Sequence, residues 1–217
     1  MNLTDIQLAL RAQALTLSSV TTGSATLSAT ATGYARAAGS FATDGFLPGM
    51  EVLPAGYTTN TPQLVTAVAA LALTVRNTLT AEAAAGSRSL TVGLPSLRGW
   101  DNQRVTTVRD RWAVEEEFLV QPQRLLTLAG SGGTVWRKGL YVLRLYIPTG
   151  CGMAAGSRVA DDLLALYTPE STLAVTGGDT VRVQGEVGPS RSGFLPGPAG
   201  FAALALTVPW YALMLNS

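Results

Sequence analysis

Three consecutive glutamates, Glu115 to Glu117, form the one dense acidic cluster of the sequence. Paired carboxylates can act as general acid and base or hold a hard cation, provided that they converge on one point. Neighbours along an extended strand point to opposite sides, so three in a row do not converge without distant partners. The run therefore reads as a solvated charged patch. Arg98, Arg104, Arg109 and Arg111 lie just upstream and could bind phosphate, but Asp101 and Asp110 interleave with them and neutralise the field. Surface or intersubunit ion pairing is the better expectation for these arginines. Gly130-Ser-Gly-Gly133 has the glycine content of a phosphate loop, yet no Gly-Lys-Ser/Thr follows, and a flexible hairpin loop is expected. Cys151 stands between two glycines before an expected helix, where the helix dipole would favour a thiolate. The chain contains no histidine, which removes Ser/His/Asp triads, Cys/His pairs, imidazole zinc ligands and histidine general bases. Its single cysteine excludes an internal disulfide and any cysteine-rich metal cluster. No constellation carries chemistry, so neither an enzyme nor a cofactor or metal site is expected.

The charge balance narrows the partners. Of 217 residues, 15 are basic and 14 acidic, so the chain has no basic excess with which to hold nucleic acid through phosphate contacts. Lys138 is the single lysine, a pattern that reads as compositional bias. The uncharged stretch Ala199 to Leu215 is shorter than the roughly 20 residues of a membrane-spanning helix and contains Gly200 and Pro209. It reads better as a strand, with Leu204, Leu206, Val208 and Trp210 on one face and Ala203, Ala205, Thr207 and Tyr211 on the other. Asp5 precedes any apolar run and no basic segment leads it, so neither a membrane segment nor a signal peptide is expected, and the product is expected to stay in the cytoplasm.

The elements that must position these residues follow from periodicity. Thr4 can cap a first helix, with Gln7 three residues on, and Ile6, Leu10, Ala14 and Leu17 recur at helical spacing. From Ser18 to about Pro95 the texture becomes Thr, Ser, Ala and Gly, with short strands expected at 25–32, 50–53, 63–68, 72–75 and 89–92. Phe41, Phe46, Met50, Val52, Leu64, Val65, Val68 and Leu90 can supply a modest core there, as in a small barrel or sandwich. Beyond Trp100, Gly139 to Ile147 predicts a strand buried on both faces except at Arg144. Val159, Leu163 and Tyr167 then predict a helix stopped by Pro169, and Asp179 to Val187 predicts an alternating strand with Val181, Val183 and Val187 inward. The sum is an α+β fold: a mixed or antiparallel sheet flanked by helices, built from 1–18 and 99–217, with an inserted small all-β domain at 19–98.

The capped first helix, the segment RKGLYVLRLYIPTGCGMAAGSRVADDLLALY from Arg137 to Tyr167, the alternating strand, the Gly/Pro loop and the final VPWYALM at Val208 to Met214 together resemble the tail terminator, or tail completion, proteins of long-tailed bacteriophages. The resemblance covers Met1 to about Leu17 and about Trp100 to Ser217. The stretch Ser40 to Val75, with SFATDGF, PGMEV and LTV, is similar to small β-domains inserted into phage structural proteins.

That resemblance implies a virion protein, assembled in the host cytoplasm, that forms a homo-oligomeric ring, usually a hexamer. Such a ring caps the tail tube, ends its polymerisation and presents a surface to the head connector or head-closure protein. Duplex DNA would pass through the lumen without specific binding, which a strongly cationic wall would hinder. Glu115, Glu116 and Glu117 are the candidate lumen residues, and Arg104, Arg109, Arg111 and Arg144 the candidate interface residues. Two alternatives stand beside this reading. One is another neck or tail component, such as a head-closure, tail tube or minor tail protein. The other is a glycan-binding module, for which the inserted region offers Tyr34 and Tyr57, Phe41 and Phe46 being wanted by the core.

Overall fold

A computed structural model describes residues 2–22, 26–58, 61–106, 111–121, 124–125 and 134–215. Helix α1 spans Leu3–Leu15. Its cap is Asn2 and not Thr4: the Asn2 side chain accepts from the Asp5 amide at 2.8 Å, and the Asp5 carboxylate accepts from the Asn2 amide at 2.8 Å. Asparagine caps at least as well as threonine, and an acid three residues later completes the reciprocal box, so the helix begins earlier than the Thr4 pattern suggests.

The following segment forms a sheet of eight described strands: β1 (Ser18–Thr21), β2 (Leu27–Thr30), β3 (Gly33–Arg36), β4 (Glu51–Ala55), β5 (Gln63–Val68), β6 (Ala72–Val75), β7 (Glu82–Ala85) and β8 (Ser89–Gly93). They lie in the order β1-β8-β4-β5-β6-β3-β2-β7, with a four-residue helix, α2 (Phe41–Asp44), beside them. All five strands read from the sequence are present, and β1, β3 and β7 join them. A second sheet contains β9 (Leu97–Gly99), β10 (Ala113–Val120), β11 (Arg124–Leu125), β12 (Thr134–Pro148), β13 (Thr172–Ala174), β14 (Thr180–Val183), β15 (Ser190–Arg191), β16 (Leu195–Pro196) and β17 (Phe201–Leu215). Its path runs β13-β14-β17-β12-β10-β9, and β11, β15 and β16 pair off that path. One of the two sheets curls into a half-barrel.

The spine of the second sheet is the antiparallel pairing of β12 with β17, in register from Thr134 opposite Leu215 to Pro148 opposite Phe201. β10 continues it, from Ala113 opposite Tyr146 to Val120 opposite Gly139. Period two then divides each strand. Tyr141, Leu143, Leu145 and Ile147 of β12 and Leu204, Leu206, Val208 and Trp210 of β17 are buried on the inner face. Onto that face pack Ile6, Leu10 and Ala14 of α1 and Ala155, Val159, Ala160 and Leu163 of α3 (Met153–Ala165). Gly139 must stay bare, because a Cβ there would lie 2.0 Å from the Leu119 carbonyl oxygen and 2.7 Å from the Trp210 ring. That ring stacks on Phe118, with centroids 5.1 Å apart.

The fold is mostly β, about 45% strand and 16% helix, so the β-rich part of the expectation holds, whereas helices are too few to make the chain a helix-flanked α+β sheet overall. Helical period occurs in two stretches, and the remainder of the second half, where a long strand at 179–187 was expected, is spent on short pairings. The Gln184 amide still donates to the Pro209 carbonyl of β17, but Pro209 has no N–H to return, and a turn closed by the Gly188 amide on the Gln184 carbonyl follows, so β14 ends at Val183. Val187 is consequently exposed instead of inward.

One hydrophobic cluster runs through both sheets. At the junction the buried Trp112 donates its amide to Glu51 Oε2 and its indole Nε1 to the Gly49 carbonyl, each at 3.0 Å. Gly49 has φ +92°, and a Cβ on it would lie 1.7 Å from the Cys151 carbonyl oxygen, so glycine alone fits there. Burial raises the carboxyl pKa of Glu51, against the lowering effect of the hydrogen bonds from Trp112 and Ser96.

Leu163 is fully buried where α3 meets the second sheet, so Leu163→Ala is expected to cost about 2 to 5 kcal/mol in denaturant unfolding. Wild-type stability in that variant would contradict the packing of α3 described above.

Candidate functional site

The glutamate run lies on β10, and the pleat separates its members. Glu116 shares the inner face with Val114 and Phe118, and its side chain is 0% exposed. Arg11 of α1 reaches it with Nε at 3.0 Å and Nη2 at 2.5 Å from Oε2. The same Nη2 lies 2.5 Å from Asp101 Oδ1, and the guanidinium sits over the Trp100 ring, 4.9 Å from its centroid. Burial alone would lower the Arg11 pKa; the hydrogen bonds to Glu116 and Asp101 outweigh it and hold the guanidinium above its ordinary value. Asp101 and Asn102 take positive φ, 60° and 61°, which turns the loop so that the Asp101 amide donates to Glu116 Oε2 and Asn102 Oδ1 accepts from the Phe118 amide. Beside this pair, Tyr167 donates its hydroxyl to the Leu10 carbonyl at 2.6 Å. Burial pushes the phenols of Tyr141 and Tyr167 well above their ordinary pKa, so both remain protonated.

Glu115 and Glu117 stand on the outer face. Glu115 accepts from the Tyr146 hydroxyl at 2.7 Å and from the Val105 amide at 2.9 Å. Glu117 is ion-paired with Arg144, opposite which Glu115 sits in the ladder. Glu115, Arg144 and Tyr146 line a groove of about 700 Å³ together with Arg104, Val105, Pro196 and Ala203, and an adjoining hollow of about 360 Å³ is lined by Glu117, Asn102 and Leu119. The Tyr146 phenol is pushed up to about 12, by burial first and then by its bond to Glu115. It keeps its proton near neutral pH and serves as a donor, not as a base.

Of the arginines singled out above, Arg104 and Arg144 meet at this groove. Arg98 does not: its Nε donates to the Pro95 carbonyl at 2.7 Å, burial lowers its pKa, and the charge of Glu51 acts against that lowering. The charge of Arg111 likewise acts on Glu51. Arg109 and the Gly130-Ser-Gly-Gly133 loop lie outside the described residues. Cys151 is buried at the junction of the sheets. Among the described residues no group of three or more His, Cys, Asp or Glu is placed to hold a metal ion. No described helix is long and apolar enough to cross a membrane.

The solvated-patch reading of the run is corrected for Glu116, which faces the core and so leaves the candidate lumen set. The signal was present in Ala113-Val-Glu-Glu-Glu-Phe118: period two places Glu116 in line with Val114 and Phe118. Tyr146 and Glu51 carry no comparable signal, because their roles depend on partners 31 and 61 residues away.

Removing one member of a buried pair leaves the other charged and unpaired. Glu116→Ala and Arg11→Ala should each lower stability by about 3 to 5 kcal/mol, and the double variant by less than the sum, as read by chemical denaturation. Additive losses would show that the two side chains are not coupled.

No family model and no curated protein matches the chain. A solved structure matches at a TM-score of 0.41 and 18% identity, over 56% of this chain and 80% of its own length, a likeness too slight to carry an argument.

Proposed function

We propose that the protein is a structural component of a long-tailed phage virion, a ring that caps the tail tube, stops its growth and joins the tail to the head connector. The observation that carries this reading is the second sheet, which is open on an edge and on a face while its ionic groups are spent on one another. Among the described strands, β10 has a strand partner on its outer edge at Ala113–Glu115 alone, where β9 pairs with it, and the Phe118 amide farther along that edge is taken by the Asn102 side chain. On the outer face Glu117 pairs with Arg144, and Glu115 with Tyr146 and the Val105 amide, which suits a wall or an interface better than a reacting centre. A subunit with open edges aggregates, grows or closes, and closure removes the edges.

The resemblance of 137–167 and 208–214 to tail terminators supplies the specific role. Six copies is the number it implies, with two helices on one face of a sheet as the shared core. Glu115 and Glu117 remain the lumen candidates, presenting carboxylates that do not retain passing DNA. Arg104, Arg111 and Arg144 remain the interface candidates. The tail tube protein and the head connector or head-closure protein are the implied neighbours. The glycan alternative loses its platform, since Tyr34 and Tyr57 are buried against each other at 5.1 Å.

Electron microscopy of the purified protein should show closed rings around a lumen of about 20 Å or more, the width of duplex DNA judged from its grooves. Phage lacking the protein should make tails of uncontrolled length or tails that fail to join heads. Normal tails joined to heads in its absence would refute the terminator role, and filaments in place of rings would favour a tube protein.

A further inference from the structure

The chain keeps its large polar aromatics out of solvent, with one exception. Of its four tryptophans Trp136 alone is exposed, at 40%, and of its six tyrosines Tyr211 alone is not buried. The two are neighbours: their rings meet edge-on with centroids 5.8 Å apart. Both stand on the outer face of the β12–β17 pairing, where Lys138 is opposite Tyr211 and Trp136 opposite Leu213, so strands and not loops fix their spacing. A hydrogen bond holds Tyr211 further, from its hydroxyl to Glu170 Oε2 at 3.4 Å. Glu170 takes φ +62°, and its amide donates to the Val183 carbonyl at 3.1 Å. Its carboxylate lies against Gly185, where a Cβ would come within 2.1 Å of Oε1. A glutamate keeps positive φ where its surroundings over-determine it, and here they aim its carboxylate at the aromatic pair.

Two hollows meet at Tyr211. One, of about 260 Å³, is lined by Trp136, Lys138, Glu170 and Glu186, and the other, of about 380 Å³, by Asp179, Thr180 and Arg182. Together they reach the size of a small-molecule site. Arg182 is opposite Tyr211 on β14, as Lys138 is on β12, so a cation flanks the tyrosine on each side. Unlike Glu117 and Arg144, Lys138 and Glu186 have no ion-pair partner among the described residues.

The mixture of signs decides the class of ligand. A polyanion such as nucleic acid meets Glu170, Glu186 and Asp179, and a simple cation meets Lys138 and Arg182. A neutral polyol uses both kinds of group, because each hydroxyl donates to a carboxylate and accepts from an ammonium or guanidinium. The C–H face of a pyranose ring covers an exposed indole while its hydroxyls point outward to such a rim. We propose that this face binds a neutral oligosaccharide, one pyranose ring on Trp136 and the chain continuing past Tyr211 towards Thr180 and Arg182. The aromatic platform that segment 19–98 lacks is thus present on the second sheet. It lies about 27 Å along β12 from Arg144 and the Glu115 groove. The site is complete within one chain and does not rest on the ring reading.

The test is a titration of the full-length protein, labelled so that its tryptophan indole N–H signals are observed by NMR. Trp136→Ala identifies the Trp136 signal by its loss, and unchanged thermal unfolding certifies that variant's fold. The probes are the linear trisaccharides of glucose, galactose, mannose and N-acetylglucosamine, with tetramethylammonium and oligothymidylate beside them. At least one trisaccharide should shift the Trp136 signal saturably. Calorimetry with that trisaccharide should show affinity about tenfold or more lower in Trp136→Ala, and about threefold lower in Glu186→Gln and in Lys138→Met. No shift with any trisaccharide would overturn the proposal. So would full affinity in Trp136→Ala, which places the sugar elsewhere, or full affinity in both Glu186→Gln and Lys138→Met. A shift with tetramethylammonium or oligothymidylate and none with the sugars would assign the rings to a cation or to stacked bases, again overturning it. The ring is read separately by electron microscopy, so failure here leaves that reading as it stands.

Discussion

The fifteen-residue pairing of β12 with β17 is the constraint on which the rest of the structure depends. Two long strands in fixed register create two faces at once, and a slip of one residue would exchange them. With the register as found, Tyr141, Leu143, Leu145 and Ile147 of β12 and Leu204, Leu206, Val208 and Trp210 of β17 turn to α1 and α3, and Arg144, Tyr146 and Trp136 turn the other way. β10 inherits the same phase through its own pairing, and this decides the fate of each glutamate: Glu116 inward, Glu115 and Glu117 outward.

Placing a carboxylate in the core carries a large desolvation cost, and the Arg11 guanidinium offsets it through two hydrogen bonds. The arrangement ties three parts of the chain together: α1 through Arg11, β10 through Glu116, and the 100–102 loop through Asp101. Buried ion pairs contribute little net stability against an apolar alternative, and their value lies in geometry. Here the pair sets the rotation of α1 about its axis, since Arg11 must face β10 while Ile6, Leu10 and Ala14 face the sheet. Leu8 and Leu15 are thereby turned outward.

The two sheets are joined by a polar clasp within an apolar cluster. Trp112 fills the junction with the largest side chain available and uses both of its N–H donors, on Glu51 and on Gly49. The close approach of Gly49 to the Cys151 carbonyl brings the first sheet against the turn that leads into α3. Segments 19–98 and 99–217 therefore share buried contacts at this point, although each forms its own sheet.

Much of this was legible in the sequence, because periodicity is a local property. The five strand patterns between 25 and 92, the strand around 139–147, the helix around Leu163 and the terminal strand all follow from spacing of two or between three and four. The absence of histidine and the single cysteine excluded whole chemistries before any fold was known. The alternation that sends Glu116 inward was also present, but its meaning was not, since nothing local distinguishes a solvated glutamate from one awaiting an arginine 105 residues away. Only the tertiary structure could supply that partner, the Tyr146 hydroxyl for Glu115, and the Trp112 amide for Glu51. It also decided which apolar residues stay uncovered: Leu8 and Leu213 have the composition of a core, and the assembled sheet leaves both of them outside it.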